Sequence, residues 1–347
     1  MQMPSDVKSI MKSYNNKKII VTVFFVTIFA CFFGRQVEWH HIQVIEHNQN
    51  EALVLQALQN PVQQPLTFGF VGDIMLDREV RISVNKNFKG DYSRLFSNAQ
   101  FLSQPDITFA NLEGPASDKG VDKQNLYSFR MDPKIIPVIK KAGIDVVSFA
   151  NNHVADWGPK AFDDTLKNLK DNGILTCGAG TNKAEAERPA IMEQNGYRIG
   201  FVCFTDVGPT NFAAGTSTSG ILLASDPDFS SIIKNAKSQV DELIVSFHSG
   251  VEYQTIHNAR QEEIFKKAVD AGADFVVGAH PHVSEDYQVY NGVNMFYSLG
   301  NFIFDQSFSK DTMQGLFVTA TLKGKVFSDV TPHTVVLDSH YAISLKQ

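Results

Sequence analysis

Two histidines flank a proline in Gly278-Ala279-His280-Pro281-His282, directly after the apolar run Phe275-Val276-Val277. Proline fixes its own φ and pushes the preceding residue toward extended backbone, so this stretch reads as a buried strand delivering two imidazoles into a loop. Upstream, four more apolar runs end within three residues of a group able to hold a metal: Asp73, Glu113, Asn152 with His153, and His248. Asp, Glu, Asn and His are hard and borderline ligands suited to Mn, Fe, Zn or Mg, and the absence of cysteine argues against a structural zinc site. A pair of such ions can activate water and clamp the oxygens of a displacement at phosphorus or carbon.

Each residue alone has a plainer reading. Asp73 after Gly72 is a turn or helix cap, and Glu113 before Gly114-Pro115 is a solvated turn residue. Asn151-Asn152 is a left-handed turn with His153 packed on the next helix. His248 is a satisfied histidine at the end of a core strand, and His280 and His282 flank a surface turn. Five such coincidences at the same end of five strands argue for one site. His257 and His333 lack that placement, as do His40 and His41.

To position these groups, strands and helices must alternate, which predicts an α/β sheet. Strand ends on one edge of a parallel sheet bring distant residues together. Strands are expected at 66–71, 107–110, 144–149, 174–177, 197–204, 243–247 and 275–277. A hairpin at 286–290 and 293–297 turns on Asn291-Gly292, and 316–322 and 335–341 follow. Helices are expected at 133–141, 159–172, 228–239 and 259–271, with another through Leu95, Phe96, Ala99 and Leu102. Residues 208–220, rich in Gly, Ser and Thr, read as a mobile loop. With no internal repeat, 66–325 is read as one domain and 326–347 as a terminal strand and tail.

The 347 residues are 43% hydrophobic and 20% charged, a globular balance. The net charge is −6, and because residues 1–18 hold four lysines against one aspartate, the remainder is more acidic still. Such a body lacks the basic face that nucleic acid requires. Residues 19–34 contain no charge and span about 24 Å as a helix, slightly short of the ~30 Å hydrocarbon core. Flanking lysines put the amino terminus in the cytoplasm, and no small-x-small cleavage site follows. The expectation is a cytoplasmic segment 1–18, an uncleaved anchor 19–34, a stalk 35–65 and an extracytoplasmic domain. Cys177 and Cys203 could pair or could be small buried hydrophobes, and their spacing favours the buried reading.

Six stretches, in order across residues 66–306, carry a family resemblance: Gly-Asp-x-Met-Leu-x-Arg (72–78), Asn-Leu-Glu (111–113), Ala-Asn-Asn-His-x-x-Asp-x-Gly (150–158), His-x-Gly-x-Glu-Tyr (248–253), Ala-Gly-Ala-Asp-x-Val-x-Gly-x-His-Pro-His (271–282) and Tyr-Ser-Leu-Gly-Asn-Phe-x-Phe-Asp (297–305). They resemble the bacterial capsule synthesis family CapA, also called PgsA, which is similar to the calcineurin-like metallophosphoesterases. The resemblance implies two mixed β-sheets flanked by helices, a membrane anchor with the domain outside, and a role in poly-γ-glutamate synthesis or export. It implies Asp73 and Glu113 as metal ligands, with Glu113 bridging, and Asn152, His248, His280 and His282 as the others. His153 resembles the general acid, and Glu252, four residues after His248, is an acid/base candidate by position. Met75 stands where the metallophosphoesterase pattern has a histidine, and so does Ala279. One or two divalent ions, Mn, Fe or Zn, are the implied cofactor. Three functions are compatible: a metal-dependent hydrolase of capsule metabolism, a non-catalytic polymer-binding or assembly subunit of a synthase complex, and a metallophosphoesterase unrelated to capsule.

Overall fold

The computed structural model describes residues 63–346. The expected anchor 19–34 and nearly all of the stalk lie outside the described residues. Among those described, no helix is long and apolar enough to cross a membrane.

From Leu66 the chain lays down β1 (Leu66–Ile74), β2 (Ile107–Leu112), β3 (Val146–Ser148) and β4 (Leu175–Cys177), four neighbours that run parallel. Then come β5 (Ala179–Gly180), β6 (Ala190–Gln194), β7 (Tyr197–Thr205), β8 (Gly220–Ile221), β9 (Glu242–His248) and β10 (Phe275–Ala279). The hairpin β11 (Tyr287–Tyr290) and β12 (Val293–Phe296) precedes β13 (Asn301–Ile303), β14 (Gln314–Lys323), β15 (Val326–Leu337) and β16 (Ile343–Leu345). The first sheet has the order β16-β15-β14-β1-β2-β3-β4, with β13 also beside β1. The second has the order β11-β12-β10-β9-β7-β6, and β5 pairs with β8 alone. Both large sheets mix parallel and antiparallel pairs, as expected. Beyond residue 325, β15 and β16 extend the first sheet.

The two sheets face each other across one apolar core. Phe70 of β1 stacks on Phe275 of β10 at 4.8 Å, and Phe109 of β2 on Phe201 of β7 at 5.7 Å. Alternation along the second sheet supplies two faces: Ile199, Phe201, Cys203, Ile244, Phe275 and Val277 point into the shared core. Val202, Phe204, Leu243, Val245, Phe247 and Val276 point the other way, onto the helices Phe229–Lys237 and Ala259–Asp270. Each buried Phe is worth about 2–3 kcal/mol relative to leaving it in water.

Local chemistry sets the elements that matter most. The helix Ala259–Asp270 opens on a capping box between Asn258 and Gln261. Gly72 lies so close to β13 that a Cβ there would sit 1.8 Å from the Gly300 carbonyl, and Asp73 N–H bonds that carbonyl at 3.0 Å.

Three expectations need correction. The strand ends meet from two sheets, not from one edge of a single sheet. The stretch through Leu95 and Leu102 forms two 3₁₀ turns, Tyr92–Phe96 and Gln100–Ser103, in place of a helix. Side chains there compete for the backbone: Ser97 Oγ bonds Arg94 O, Gln100 Nε2 bonds Ser97 O, and Ser103 Oγ bonds Gln100 O. Finally, Cys177 and Cys203 are joined in a disulfide that ties β4 to β7 across the sandwich.

Candidate metal centre

The first sheet brings three groups to its carboxyl edge. Asp73 lies near the end of β1, Glu113 follows β2, and Asn152 and His153 sit in the turn after β3. The second sheet brings His248 at the end of β9, and His280 and His282 after β10. Both histidines beside Pro281 adopt left-handed backbone, φ 102° at His280 and 60° at His282, so the loop carries strain that turns the two imidazoles inward.

The side chains meet. One ligand atom each from Asp73, Glu113 and His248 lie within 4.8 Å of one another, and so do those of Glu252, His280 and His282. His282 links the two groups, with Nδ1 3.5 Å from Asp73 Oδ2 and Nε2 3.7 Å from Glu113 Oε1. Asn152 Oδ1 is 2.8 Å from His248 Nε2. His153 Nε2 lies 3.9 Å from Glu113 Oε1. All eight residues singled out from the sequence are thus brought to one place. Asp73, Glu113, His248, His280 and His282 are buried, Asn152 and His153 are half-buried, and Glu252 is exposed at the mouth.

Asn111, on β2, is the hub. Its Nδ2 lies 2.8 Å from Asp73 Oδ1, 3.4 Å from Glu113 Oε2 and 3.3 Å from His248 Nδ1. An amide nitrogen has two hydrogens, so three acceptors leave the cluster one donor short. Glu113 Oε1 and His280 Nδ1 are also buried with no hydrogen-bond partner among the described residues. Burial, reinforced by the neighbouring Asp73, pushes the Glu113 carboxyl well above the ordinary range. Burial also pushes His248 well below its ordinary value and His280 down to about 3, with the neighbouring imidazoles adding to both shifts. A His280 imidazole with its Nδ1 unpartnered, set beside carboxylates short of hydrogen-bond donors, fits a divalent cation of the Mn, Fe or Zn kind.

Four residues that sequence reasoning passed over complete the arrangement. Asn111 orients both sheets' ligands, and Asn151 Nδ2 holds it in place through Asn111 Oδ1 at 3.3 Å and Leu112 O at 2.8 Å. Asp156 accepts from His153 Nδ1 at 2.8 Å, and Asn301 from His282 Nδ1 at 3.0 Å. All four lie inside the stretches that carried the family resemblance. Their signal was a polar residue in or beside an apolar strand, which is costly unless partnered. Met75 is fully buried against Phe129 and Phe304, so this position, already read as lacking a histidine, belongs to an apolar cluster. Ala279 is buried at the end of β10.

Comparison with known proteins gives a consistent result. The family model described as bacterial capsule synthesis protein PGA_cap matches residues 67–306. The chain is 35% identical over 284 residues to the PGA biosynthesis protein CapA of Bacillus subtilis (strain 168), covering 80% of this chain and 72% of that one. It is 31% identical over 326 residues to the capsule biosynthesis protein CapA of Bacillus anthracis, covering 90% and 74%. Among solved structures, a hypothetical protein from Thermus thermophilus matches at a TM-score of 0.50 and 15% identity, over 78% of this chain and 98% of that one, a likeness of fold alone. The chain belongs to the bacterial capsule synthesis protein PGA_cap family.

Proposed function

We propose that this chain is a membrane-anchored, extracytoplasmic hydrolase of capsule or poly-γ-glutamate metabolism, dependent on one or two divalent ions. The observation that carries this reading is the convergence of Asp73, Glu113, His248, His280 and His282 from two sheets, with buried donor atoms left unpartnered. Two relatives named for capsule or PGA biosynthesis support the polymer context. The disulfide favours an oxidising compartment. The apolar run 19–34 behind four lysines supports an anchor with its amino terminus inside.

When bound, a divalent ion supplies Lewis acidity and makes water nucleophilic at neutral pH. Asp73, Glu113, His248 and Asn152 would hold one position, and His280, His282 and Glu252 the other. His153 donates its Nδ1–H in a hydrogen bond to Asp156 and turns Nε2 toward Glu113; as an imidazolium it would pass its Nε2 proton to the leaving group of a phosphoester or amide.

One observation favours a second reading, that of a polymer-binding or assembly subunit within a synthase complex: the apolar environment of Met75 removes a ligand from the site. A phosphoesterase unrelated to capsule is the third. The test is to purify the full-length chain in detergent, measure bound Mn, Fe and Zn, and repeat with His282→Ala and Asn152→Ala. A wild type without metal, or variants that bind as well as it does, would refute the site. Phosphoesters and γ-glutamyl peptides then test turnover, and a metal-loaded protein that cleaves neither class supports the assembly reading.

A further inference from the structure

Four residues around the centre hold a backbone conformation that side chains rarely adopt: His280, His282, Tyr253 (φ 66°) and Arg78 (φ 51°). The first two are candidate ligands. Tyr253 lies beside them, its ring 6.3 Å from that of His282. Strain of this kind persists where surrounding structure over-determines it, and it clusters at functional sites. Arg78 therefore needs an account.

Its guanidinium is oriented from one side only. Nε donates to the buried Asp305 Oδ2 at 2.8 Å, an oxygen that also takes the Glu79 N–H. The guanidinium carbon lies 5.1 Å from the Phe129 ring and 5.8 Å from the Tyr127 ring. Phe129 in turn stacks on His153 at 3.9 Å and meets Phe304, which packs on His282 at 4.5 Å. The cation is thus one aromatic ring away from His153. Its side chain is 34% exposed, and neither terminal Nη has a hydrogen-bond partner among the described residues. A guanidinium fixed through Nε presents a planar fork that matches a carboxylate or phosphate. Nearby, Tyr253 meets Phe308 edge-on at 5.1 Å, and its hydroxyl takes a hydrogen bond from Gln306 Nε2. Tyr127, Tyr253 and Phe308 are all exposed, an aromatic rim suited to aliphatic carbon.

We propose that Arg78 is a specificity-determining residue of this site: its two Nη groups bind an oxyanion of the substrate next to the group being processed, while Tyr127, Tyr253 and Phe308 cover the adjoining aliphatic carbons. The proposal rests on the reading that the centre acts on an acidic polymer or a phosphoester, and it names the chemistry that the substrate must carry. A structural role, in which Arg78 merely neutralises Asp305, is the competing account.

The experiment uses the full-length chain at fixed Mn concentration and measures binding calorimetrically. Its probes are penta-γ-glutamate, the same pentamer with every side carboxylate converted to carboxamide, and inorganic phosphate. Wild type should bind the anionic pentamer at least about tenfold more tightly than the neutral one. Arg78→Gln should remove that preference while leaving the neutral pentamer unchanged, and Arg78→Lys should restore part of it. Arg78-dependent binding of phosphate but not of the pentamer identifies the oxyanion as phosphate. Equal wild-type affinity for both pentamers, without Arg78-dependent phosphate binding, overturns the proposal even if the variants fail to fold. A loss in Arg78→Gln that strikes charged and neutral probes alike, or that follows a fall in bound Mn, assigns the residue to structure instead. Mn content measured on the same samples separates the two claims. Arg78-dependent binding without Mn defeats the hydrolase reading alone, and Mn without Arg78 dependence defeats only this one.

Discussion

Asn301 Oδ1 takes the Nδ1–H of His282 at 3.0 Å, and the orientation of that amide is itself fixed. Asn301 Nδ2 donates to Thr312 O at 2.9 Å and to Gln306 Oε1 at 3.1 Å, so the oxygen must face the imidazole. His282 therefore carries its proton on Nδ1 and leaves the Nε2 lone pair toward Glu113. Partners of this kind typically govern metal affinity by 10–100-fold. Asn301→Ala should weaken Mn binding by about that factor. Calorimetric titration, with far-UV circular dichroism to verify folding, is the check.

Asp156 does for His153 what Asn301 does for His282, but with a charge. Its carboxylate also accepts from Phe129 N and Asn125 Nδ2, both at 2.8 Å, so it cannot swing away. Asp156→Asn leaves one oxygen and one NH₂ to meet three donors and removes the carboxylate charge that would stabilise a protonated His153. Turnover should fall by about 10²–10⁴, the range expected for losing a positioned proton donor, while metal content stays at the wild-type level. Loss of metal along with turnover would instead make Asp156 part of the ion's support.

The disulfide closes a loop between residues 26 apart. Chain-entropy arithmetic for a loop of that size predicts about 3–4 kcal/mol of stabilisation. Cys177→Ala with Cys203→Ala should lower unfolding free energy by roughly that amount in guanidinium titration. Reductant should produce the same loss in the wild type and none in the double variant.

Glu242 opens β9 at the end opposite the metal centre and is fully buried, with Oε1 unpartnered. Burial, and then the charge of Asp274, push its carboxyl up to about 7 from the ordinary 4.5. The folded chain keeps a proton that the unfolded chain has released, so the contribution to stability is fully present below pH 4.5 and is lost as pH rises through 7. Unfolding at pH 5 and pH 8 should show wild type losing on the order of 1–3 kcal/mol from this group. Glu242→Gln should flatten that window. An unchanged slope in the variant would remove Glu242 from the account.

The donor set was legible because it pairs two independent signals, an apolar strand and a ligand-type residue at its end. Asp73, Glu113, His248 and His282 each show both. Asn111 and Asn301 were not singled out because they sit on the strands, where asparagine is disfavoured and its partners come from distant segments. That two sheets share the site depends on which strands pair, and nothing local to β2 or β9 dictates this. The 3₁₀ turns at 92–103 escaped because the three-residue spacing of Phe96, Ala99 and Leu102 suits both helix types, and Ser97, Gln100 and Ser103 made the difference. Cys177 and Cys203 pair only because β4 and β7 end side by side in opposite sheets.

The left-handed backbone at His280 and His282 makes the fold's melting point an instrument. Each strained residue costs the folded chain about 1–3 kcal/mol, and the cost falls on residues that an ion would grip. An ion bound at a hundred times its dissociation constant adds about 2.7 kcal/mol to folding. Heat, with no substrate in hand, can therefore rank Mn, Fe and Zn by how far each raises the unfolding temperature.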